Sequence, residues 1–232
     1  MGRYELILFD VDDTLLDFRS GQRRAFEATA RAALGGEGTG PEVDQLLAHY
    51  LEVSGPLWRD LEDGRISMQR LAVRRWELVA ERSGLDYDAG RISARYLELL
   101  AAEHQTCVGA LQLCERLARS HRLAAVTNGY EAVQAPRLRA AGLERHLELV
   151  LTSEAAGVGK PHAAIFEHAL ERLGRVEPEQ VLMVGDSLSS DIAGAEAVGL
   201  GTCWISRGRP LAASDPQPDH IITGVAELER VL

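Results

Sequence analysis

The chain has few cysteines and no long apolar run, and these two absences exclude several classes of protein. Three cysteines occur in 232 residues, at Cys107, Cys114 and Cys203, and they form neither a metal-ligand spacing nor an even set of disulfide partners. Such cysteine use is typical of a reducing cytoplasm. No apolar run approaches the roughly 18 residues of a membrane-spanning helix, and the first residues lack the layout of a signal peptide. We therefore expect a cytoplasmic protein with no membrane segment.

Positive charge is also scarce. The chain holds 25 basic and 35 acidic residues, so its net charge is −10. This balance argues against binding to a nucleic-acid polymer or to an anionic membrane surface. Lys160 is the only lysine, and the other basic residues in that count are arginines. Because an ammonium is a compact point charge whereas a guanidinium is planar, we interpret Lys160 as a functional cation; the alternative is that chance left one lysine there.

A short apolar segment followed by acids stands near the start of the chain. Residues 4–9 are apolar except for Glu5, as expected for a parallel strand covered by helices on both faces. Asp10 and Asp12 follow it, and in open α/β sheets the ligand site lies beyond the carboxyl ends of the strands. Two carboxylates one residue apart repel each other, and Mg²⁺ would relieve that repulsion. The alternative is that the acids belong only to a turn after the strand.

The hydrophobic pattern divides the chain into a helical part and an α/β part. From residue 17 to residue 104 the apolar positions follow helical spacing, which predicts an all-helical module. After it, strand and helix patterns alternate, which predicts a parallel sheet with right-handed crossovers. We therefore predict a doubly wound α/β core domain formed by residues 1–16 and 105–232, with an all-helical cap domain inserted at 17–104. An insert directly after the first strand would stand over the carboxyl edge of the sheet.

Turn residues and apolar runs set the predicted element boundaries. The strands after the first are predicted at residues 123–126, 147–151, 181–184, 201–205 and 220–222. Helices are predicted at residues 131–141, 191–198 and 226–232, with a further helix that begins at Pro161 and ends at Gly174. The helical part contains a glycine-rich joint at residues 35–41.

Four aromatic residues are candidates for stacking on the base of a substrate, namely Phe18, Trp58, Trp76 and Tyr96. Trp76 and Tyr96 share helical spacing with apolar neighbours, which favours burial in the core of the helical module. Phe18 lies next to the acidic pair and is the better candidate for contact with a substrate.

Polar residues also occur at the ends of later strands. Thr127 and Asn128 follow one predicted strand, Lys160 precedes a helix, and Asp186 and Asp191 follow another strand. Each group alone could be a simple turn. Because the carboxyl ends of parallel strands meet at one edge of a sheet, we expect these groups to converge on the acidic pair.

These motifs, in this order, closely resemble those of the haloacid dehalogenase superfamily of hydrolases. The matching segments are Asp10-Val11-Asp12-Asp13-Thr14, Thr127-Asn128-Gly129, Lys160-Pro161 and Gly185-Asp186 with Asp191. The resemblance spans the whole chain, including a helical insert between the first and second motifs. It implies a Rossmann-like core with a helical cap of the C1 type.

The resemblance also implies roles for the acids. Asp10 would be the nucleophile that attacks phosphorus and forms an aspartyl-phosphate. Asp12 would be the general acid that protonates the departing oxygen, and then the base that activates water. The family's Mg²⁺ is held by the carboxylate of Asp10, the backbone carbonyl of Asp12 and the carboxylate of Asp186, which assigns the metal to those residues here.

Binding of the phosphoryl group falls to other residues in the same resemblance. Thr127 and Lys160 would bind it through a hydroxyl and an ammonium, and Asn128 would assist through its backbone N–H. Three roles are open to Asp191, which could bind metal-bound water, orient Lys160 or cap the helix that it begins. We favour a role in supporting the metal or the lysine over the cap.

Several activities remain open at this point. Dehalogenases of the superfamily normally lack an acid at the position of Asp12, so the sequence favours a phosphomonoester hydrolase. A phosphomutase is an alternative, as is a non-catalytic phosphate-binding regulator, although such regulators usually lose the nucleophile or the acid. A P-loop protein is excluded, because residues 156–161 lack the glycine spacing and have Pro161 where Ser or Thr should hold Mg²⁺.

Within the superfamily the chain is most similar to the pyrimidine 5'-nucleotidases. Residues 9–18, the Thr127-Asn128-Gly129 motif with Gln134 and Arg137, and residues 202–204 carry this likeness. We therefore expect a small phosphomonoester as the substrate, and a pyrimidine nucleoside monophosphate in particular. A sugar phosphate or phosphoglycolate is the main alternative.

Overall fold

The computed structural model describes residues 3–36, 38–174 and 176–232, and the chain divides into two compact units. One unit contains Met1–Phe18 and His104–Leu232, and the other contains Arg19–Glu103. The first is built on a β-sheet, whereas the second consists of helices. None of the described helices is long and apolar enough to cross a membrane.

The first unit contains a six-stranded sheet in which neighbouring strands pair in parallel. Its strands are β1 Leu6–Phe9, β2 Arg122–Thr127, β3 Leu149–Thr152, β4 Val181–Gly185, β5 Gly201–Ile205 and β6 His220–Ile222. Their order across the sheet is β3-β2-β1-β4-β5-β6. The strand order therefore reverses beside β1, which is where open α/β sheets bind their ligands. The predicted doubly wound α/β fold is confirmed.

Among the described residues of the second unit, four helices share an aromatic core. The helices are α1 Phe18–Ala33, whose first residue belongs to the other unit, α2 Gly40–Glu62, α3 Met68–Ser83 and α4 Ala89–Ala101. Each contributes one buried ring, and neighbouring ring centroids lie 5.1 to 5.7 Å apart; the rings belong to Phe26, Tyr50, Trp76 and Tyr96. The prediction that Trp76 and Tyr96 are core residues is confirmed.

Polar caps begin the helices of this unit. The Thr39 backbone N–H donates to the Glu42 carboxylate before α2 over 2.9 Å, as in a capping box. The Ser67 hydroxyl accepts a backbone N–H in the first turn of α3. The predicted glycine-rich joint at residues 35–41 includes Glu37, which lies outside the described residues.

Helices cover both faces of the sheet. They are α5 Ala110–Leu117, α6 Glu131–Ala140, α7 Ser153–Ala156, α8 Ala163–Leu173 and α9 Ala193–Ala197. Because successive side chains of a strand point to opposite faces, Ile7 and Phe9 of β1 belong to one core cluster, whereas Leu6 and Leu8 belong to the other. Both faces of β1 are thus buried, as the apolar run predicted.

The prediction that Pro161 opens a helix is wrong. Helix α8 begins at Ala163, and His162 precedes it in an extended conformation with φ −61° and ψ 134°. The reason is that Asn128 binds the backbone of Lys160 on both its N–H and its carbonyl, which holds this segment out of the helix.

Three other predicted boundaries also differ from the structure. The predicted helix at 191–198 is a π-helical turn, Leu188–Ile192, followed by α9. Strand β3 begins at Leu149 rather than Leu147, because Leu147 closes the 3₁₀ turn Glu144–His146. The last predicted helix is a 3₁₀ helix, Val225–Arg230.

Candidate active site

Asp10 and Lys160 form an ion pair at the carboxyl end of β1. Asp10 directly follows the strand, and its backbone N–H donates to the carbonyl of Val184 in β4 over 2.9 Å. The Lys160 ammonium donates to Asp10 Oδ1 and to the Val126 carbonyl, both at 2.7 Å. Asp10 is 6% exposed and Lys160 is 1% exposed, so the pair is almost completely withdrawn from water. The structure thus places the only lysine against the predicted nucleophile.

Asn128 holds Lys160 in this position from another strand end. Its side-chain amide donates to the Lys160 carbonyl over 2.7 Å, and its side-chain oxygen accepts the Lys160 backbone N–H over 2.8 Å. Asn128 follows β2 directly, so the contact joins the second and third motifs. The predicted contribution of Asn128 was its own backbone N–H, and the bracing role of its side chain was missed.

Asp191 contacts the other side of the Lys160 ammonium. Its Oδ1 lies 2.7 Å from Nζ, and its Oδ2 accepts the Ser187 backbone N–H over 2.9 Å. The π-helical turn carries Asp191 to this position, where it is 1% exposed. A Cβ at Gly185 would lie only 2.2 Å from Asp191 Oδ2, so the glycine of the fourth motif makes room for this carboxylate.

Three carboxylates converge at this edge of the sheet. Asp10, Asp186 and Asp191 each offer an oxygen atom, and these atoms lie within 4.8 Å of one another. Hard carboxylate oxygens are the ligands that Mg²⁺ prefers, and a cation would offset the repulsion among three acids. The donor set therefore fits the predicted metal. The carboxylate of Asp12 contacts Gln134 and Arg137 instead, and its predicted contribution through a backbone carbonyl stays a prediction.

Burial and mutual repulsion govern the protonation of this group. Burial raises the pKa of the Asp10 carboxyl well above its ordinary value, Lys160 opposes that rise, and Asp191 adds to it. Burial would lower the pKa of Lys160, but the charges of Asp10 and Asp191 raise it above its ordinary value. Burial, followed by the charges of Asp191 and Asp13, raises the pKa of Asp186 to about 6. The lysine is thus charged, whereas Asp10 and Asp186 would be easier to ionise beside a second cation.

The carboxylate of Asp12 is held by helix α6. Arg137 Nη1 lies 2.6 Å from Asp12 Oδ1, and Gln134 Nε2 donates to Asp12 Oδ2 over 2.8 Å. Asp12 stands two residues beyond the end of β1, where the chain turns sharply and Asp13 adopts a positive φ of 62°. The two motif aspartates therefore have different partners.

Thr127 and Phe18 lie around this second network. Thr127 ends β2 and is 1% exposed, and its hydroxyl accepts from Gln134 Nε2 over 3.3 Å. The guanidinium carbon of Arg137 lies 5.6 Å from the centroid of the half-buried Phe18 ring. Phe18 thus stacks on a cation beside the acidic pair, within cation–π distance.

The sequence profile of the haloacid dehalogenase-like hydrolases matches residues 4–199, a span that includes all four motifs of this site. The chain belongs to this hydrolase family.

Individual relatives match nearly the whole length of this haloacid dehalogenase-like hydrolase. The pyrimidine 5'-nucleotidase YjjG of Escherichia coli is 33% identical, and the match covers 99% of this chain and 98% of YjjG. The pyrimidine 5'-nucleotidase PynA of Streptococcus pneumoniae is 31% identical, over 97% and 93% of the two chains. The crystal structure of the HAD-hydrolase YfnB from Bacillus subtilis, bound to magnesium, superposes with a TM-score of 0.90 at 30% identity and covers 100% of this chain and 99% of YfnB.

The sequence motifs assign no role to Gln134 and Arg137 of this hydrolase. A signal for them was present, because residues three apart on a helix share one face and this helix directly follows the Thr127-Asn128-Gly129 motif. Two donors on one helix face, directed at the neighbouring strand ends, could have been predicted from that spacing.

Arg209 is another residue without a predicted role. Its guanidinium donates to the backbone carbonyl of Asp186 over 2.5 Å and lies 3.6 Å from the Asp186 carboxylate. The guanidinium also stacks over Trp204, and its carbon lies 5.4 Å from the ring centroid. It lies in the irregular segment that follows β5, where no periodic pattern marks one position over another. Arg209 and Lys160 thus place two positively charged groups against the acids of this site.

Proposed function

We propose that the protein is a Mg²⁺-dependent phosphomonoester hydrolase that acts through an aspartyl-phosphate on Asp10. The observation that carries the proposal is the convergence of Asp10, Asp186, Asp191 and Lys160 at one edge of the sheet, with Asp12 two residues beyond the nucleophile. A buried carboxylate held by an ammonium, next to a second carboxylate with its own support, offers a nucleophile and a separate proton carrier.

In the first step, a carboxylate oxygen of Asp10 attacks phosphorus, and the bond between phosphorus and the ester oxygen breaks. Its electron pair stays on the departing oxygen, which takes the proton of the Asp12 carboxyl. Lys160 and Thr127 bind the phosphoryl oxygens as an ammonium and a hydroxyl.

In the second step, the Asp12 carboxylate removes a proton from a water molecule, whose oxygen attacks the phosphorus of the aspartyl-phosphate. The bond between phosphorus and Asp10 breaks, inorganic phosphate forms, and Asp12 is protonated again. One residue thus serves as the acid in the first half and as the base in the second, and the enzyme returns to its starting state.

The metal would be held by the carboxylates of Asp10 and Asp186 and by the backbone carbonyl of Asp12. Bound Mg²⁺ draws negative charge from phosphoryl oxygens and lets an anionic nucleophile approach an anionic substrate. Asp191 contacts the Lys160 ammonium, so it orients Lys160 and supports the acids that would bind the metal.

The favoured substrates are pyrimidine nucleoside monophosphates. The support is that two pyrimidine 5'-nucleotidases match nearly the full chain at 31% and 33% identity, helical unit included. We further propose that the helical insert, predicted at residues 17–104, is a cap domain that selects the substrate. The proposed location of the enzyme is the cytoplasm, where free cysteines such as its own are stable.

A substrate panel tests both levels of the proposal. Phosphate release is measured with Mg²⁺ from uridine and thymidine monophosphates, glucose phosphate and phosphoglycolate. We expect the pyrimidine nucleotides to be the best substrates, EDTA to abolish turnover, and Asp10→Asn to remove it without unfolding the protein. If glucose phosphate or phosphoglycolate equals the nucleotides, the nucleotidase proposal fails and the phosphatase survives. Turnover that persists in EDTA or in Asp10→Asn overturns the mechanism.

A further inference from the structure

We propose that Arg137 and Gln134 are positioning residues that aim the Asp12 carboxylate at the departing oxygen. The inference rests on the proposed function, since it deepens the role of Asp12 as proton carrier. It assigns to helix α6 a part in the reaction that none of the four motifs contains.

Helix α6 engages both oxygens of the Asp12 carboxylate. Arg137 Nη1 lies 2.6 Å from Oδ1, and Gln134 Nε2 lies 2.8 Å from Oδ2. A carboxylate bound at one oxygen can still rotate about its side-chain bonds, whereas two bonds from one helix face fix its plane. Such fixing matters in proton transfer, because the acid must lie within hydrogen-bond reach of the oxygen that departs.

The two side chains that support Asp12 are themselves fixed in place. Arg137 Nη1 also donates to Gln134 Oε1 over 2.9 Å, so the Gln134 amide has to turn its nitrogen toward Asp12. The same nitrogen lies 3.3 Å from the Thr127 hydroxyl, which connects the proton carrier to a proposed phosphate-binding residue. Gln134 is 1% exposed and has little freedom to turn away.

The burial of Arg137 also points to orientation rather than to stability. The Arg137 side chain is 1% exposed, whereas the Asp12 side chain is 25% exposed. The cation is thus buried, whereas the acid remains partly accessible to solvent. A buried ion pair is often no more stabilising than apolar residues of similar volume, so stability alone does not account for a buried arginine here. Orientation of the carboxylate does account for it.

The experiment compares two leaving groups in Arg137→Met, Arg137→Lys and Gln134→Met. One substrate is the best alkyl phosphate of the panel, whose departing oxygen needs a proton. The other is p-nitrophenyl phosphate, whose phenolate departs without one. We expect Arg137→Met to lower kcat/KM for the alkyl ester by about 100-fold, the low end for loss of general acid catalysis, and to lower it far less for the aryl ester. Arg137→Lys should restore part of the difference, and Gln134→Met should show the same bias more weakly.

Two reference variants make the outcome decisive. Asp12→Asn should show the strongest bias between the substrates, and adding Arg137→Met to it should cause little further bias, because coupled residues are not additive. Arg139→Met, on the same helix but with a 69% exposed side chain paired to Glu144, should leave the ratio of the two kcat/KM values unchanged.

A merely structural role predicts a different pattern. In that case the Arg137 and Gln134 variants lose kcat/KM equally for both substrates, or lose nothing, while Asp12→Asn keeps its bias, and the inference is wrong. If Asp12→Asn itself shows no bias, the proposed role of Asp12 fails first. Should Arg137→Met fail to fold, Arg137→Lys and Gln134→Met decide the matter by the same ratio.

Discussion

At the scale of the residue, the contacts of Lys160 explain why the single lysine of the chain stands at this position. Its ammonium occupies a space between Asp10, Asp191 and the Val126 carbonyl, each at 2.7 Å, and the whole side chain is buried. A planar guanidinium carries more atoms and spreads its donors in one plane, whereas these acceptors surround a single nitrogen. The interpretation of Lys160 as a functional cation thus agrees with its contacts.

Substitution of Lys160 should therefore affect both activity and stability. We expect Lys160→Arg to lower kcat at least about 100-fold, in the range for removal of one stabilising donor, because the larger group does not fit between the acids. Lys160→Met leaves two buried acids without their cation and should reduce the free energy of unfolding of the metal-free protein by about 3–5 kcal/mol. Urea unfolding followed by circular dichroism measures the second effect. A stable, fully active Lys160→Arg enzyme would contradict this account.

The elevated pKa of Asp186 predicts a pH dependence of metal binding. Since burial raises that pKa to about 6, the carboxyl is protonated in the metal-free protein below about pH 6, and Mg²⁺ must displace the proton. The Mg²⁺ affinity should therefore fall by at least about tenfold for each pH unit below 6. Calorimetric titration of the metal measures it, with Asp186→Asn as the control that binds weakly at every pH. An affinity that stays flat from about pH 7 to pH 5 would contradict the assignment of Asp186 to the metal.

At the scale of the element, close approach explains the glycine that ends β4. A Cβ on Gly185 would lie 2.2 Å from Asp191 Oδ2 and 2.4 Å from its Cγ, and Asp191 is held by Lys160 and Ser187. Strand β4 and the π-helical turn therefore pack so closely that no other side chain is allowed between them. This contact sets the distance between the fourth motif and the lysine.

Gly185→Ala should consequently displace Asp191. We expect a loss of about 1–3 kcal/mol in the free energy of unfolding, as for other overpacked sites, together with loss of activity. Gly224→Ala is the matched control in the same unit, because a Cβ there meets nothing within 4 Å and should change stability by less than about 0.5 kcal/mol. Equal stability of the two variants in urea unfolding would show that Asp191 is free to move.

The helical unit makes a prediction of its own. Trp76 is 1% exposed and contacts the rings of Phe26, Tyr50 and Tyr96, one from each of the other three helices. Trp76→Ala should reduce the free energy of unfolding by about 3–5 kcal/mol. Trp58→Ala, at a half-buried position, should cost clearly less. Similar losses in the two variants would argue against the aromatic cluster as the core of this unit.

Elements with a strong periodic pattern could be predicted from the sequence, and those set by distant contacts could not. The buried run of β1 and the acids beyond it follow from alternation and strand polarity alone. The start of α8 depends on Asn128, which lies 32 positions before the Lys160 backbone that it binds. The π-helical turn likewise depends on a distant contact, that of Asp191 with the Lys160 ammonium. No local sequence pattern distinguishes this turn from an ordinary helix start.

At the scale of the whole molecule, the positive charges of the site are set against its acids. The net charge is −10, and Lys160, Arg137 and Arg209 all contact acids of the site. A net acidic chain does not favour nucleic-acid polymers, which require an extended basic surface. The helical insert and the motif order could be predicted because they follow the family pattern. The spacing of Gln134 and Arg137 marks a shared helix face, but their partner Asp12, which lies 122 and 125 positions earlier, could only be found in the structure.

The most direct test of the central claim is to trap a phosphoryl group on Asp10. Asp12→Asn should still accept phosphate from p-nitrophenyl phosphate, whose phenolate departs without a proton, but should hydrolyse the aspartyl-phosphate slowly because the base is missing. Acid quenching followed by peptide mass spectrometry is expected to find one phosphoryl group on Asp10 in the presence of Mg²⁺, and none after EDTA or in the Asp10→Asn, Asp12→Asn double variant. A phosphoryl group on another residue, or one that forms on Asp10 equally well without metal, would contradict the account.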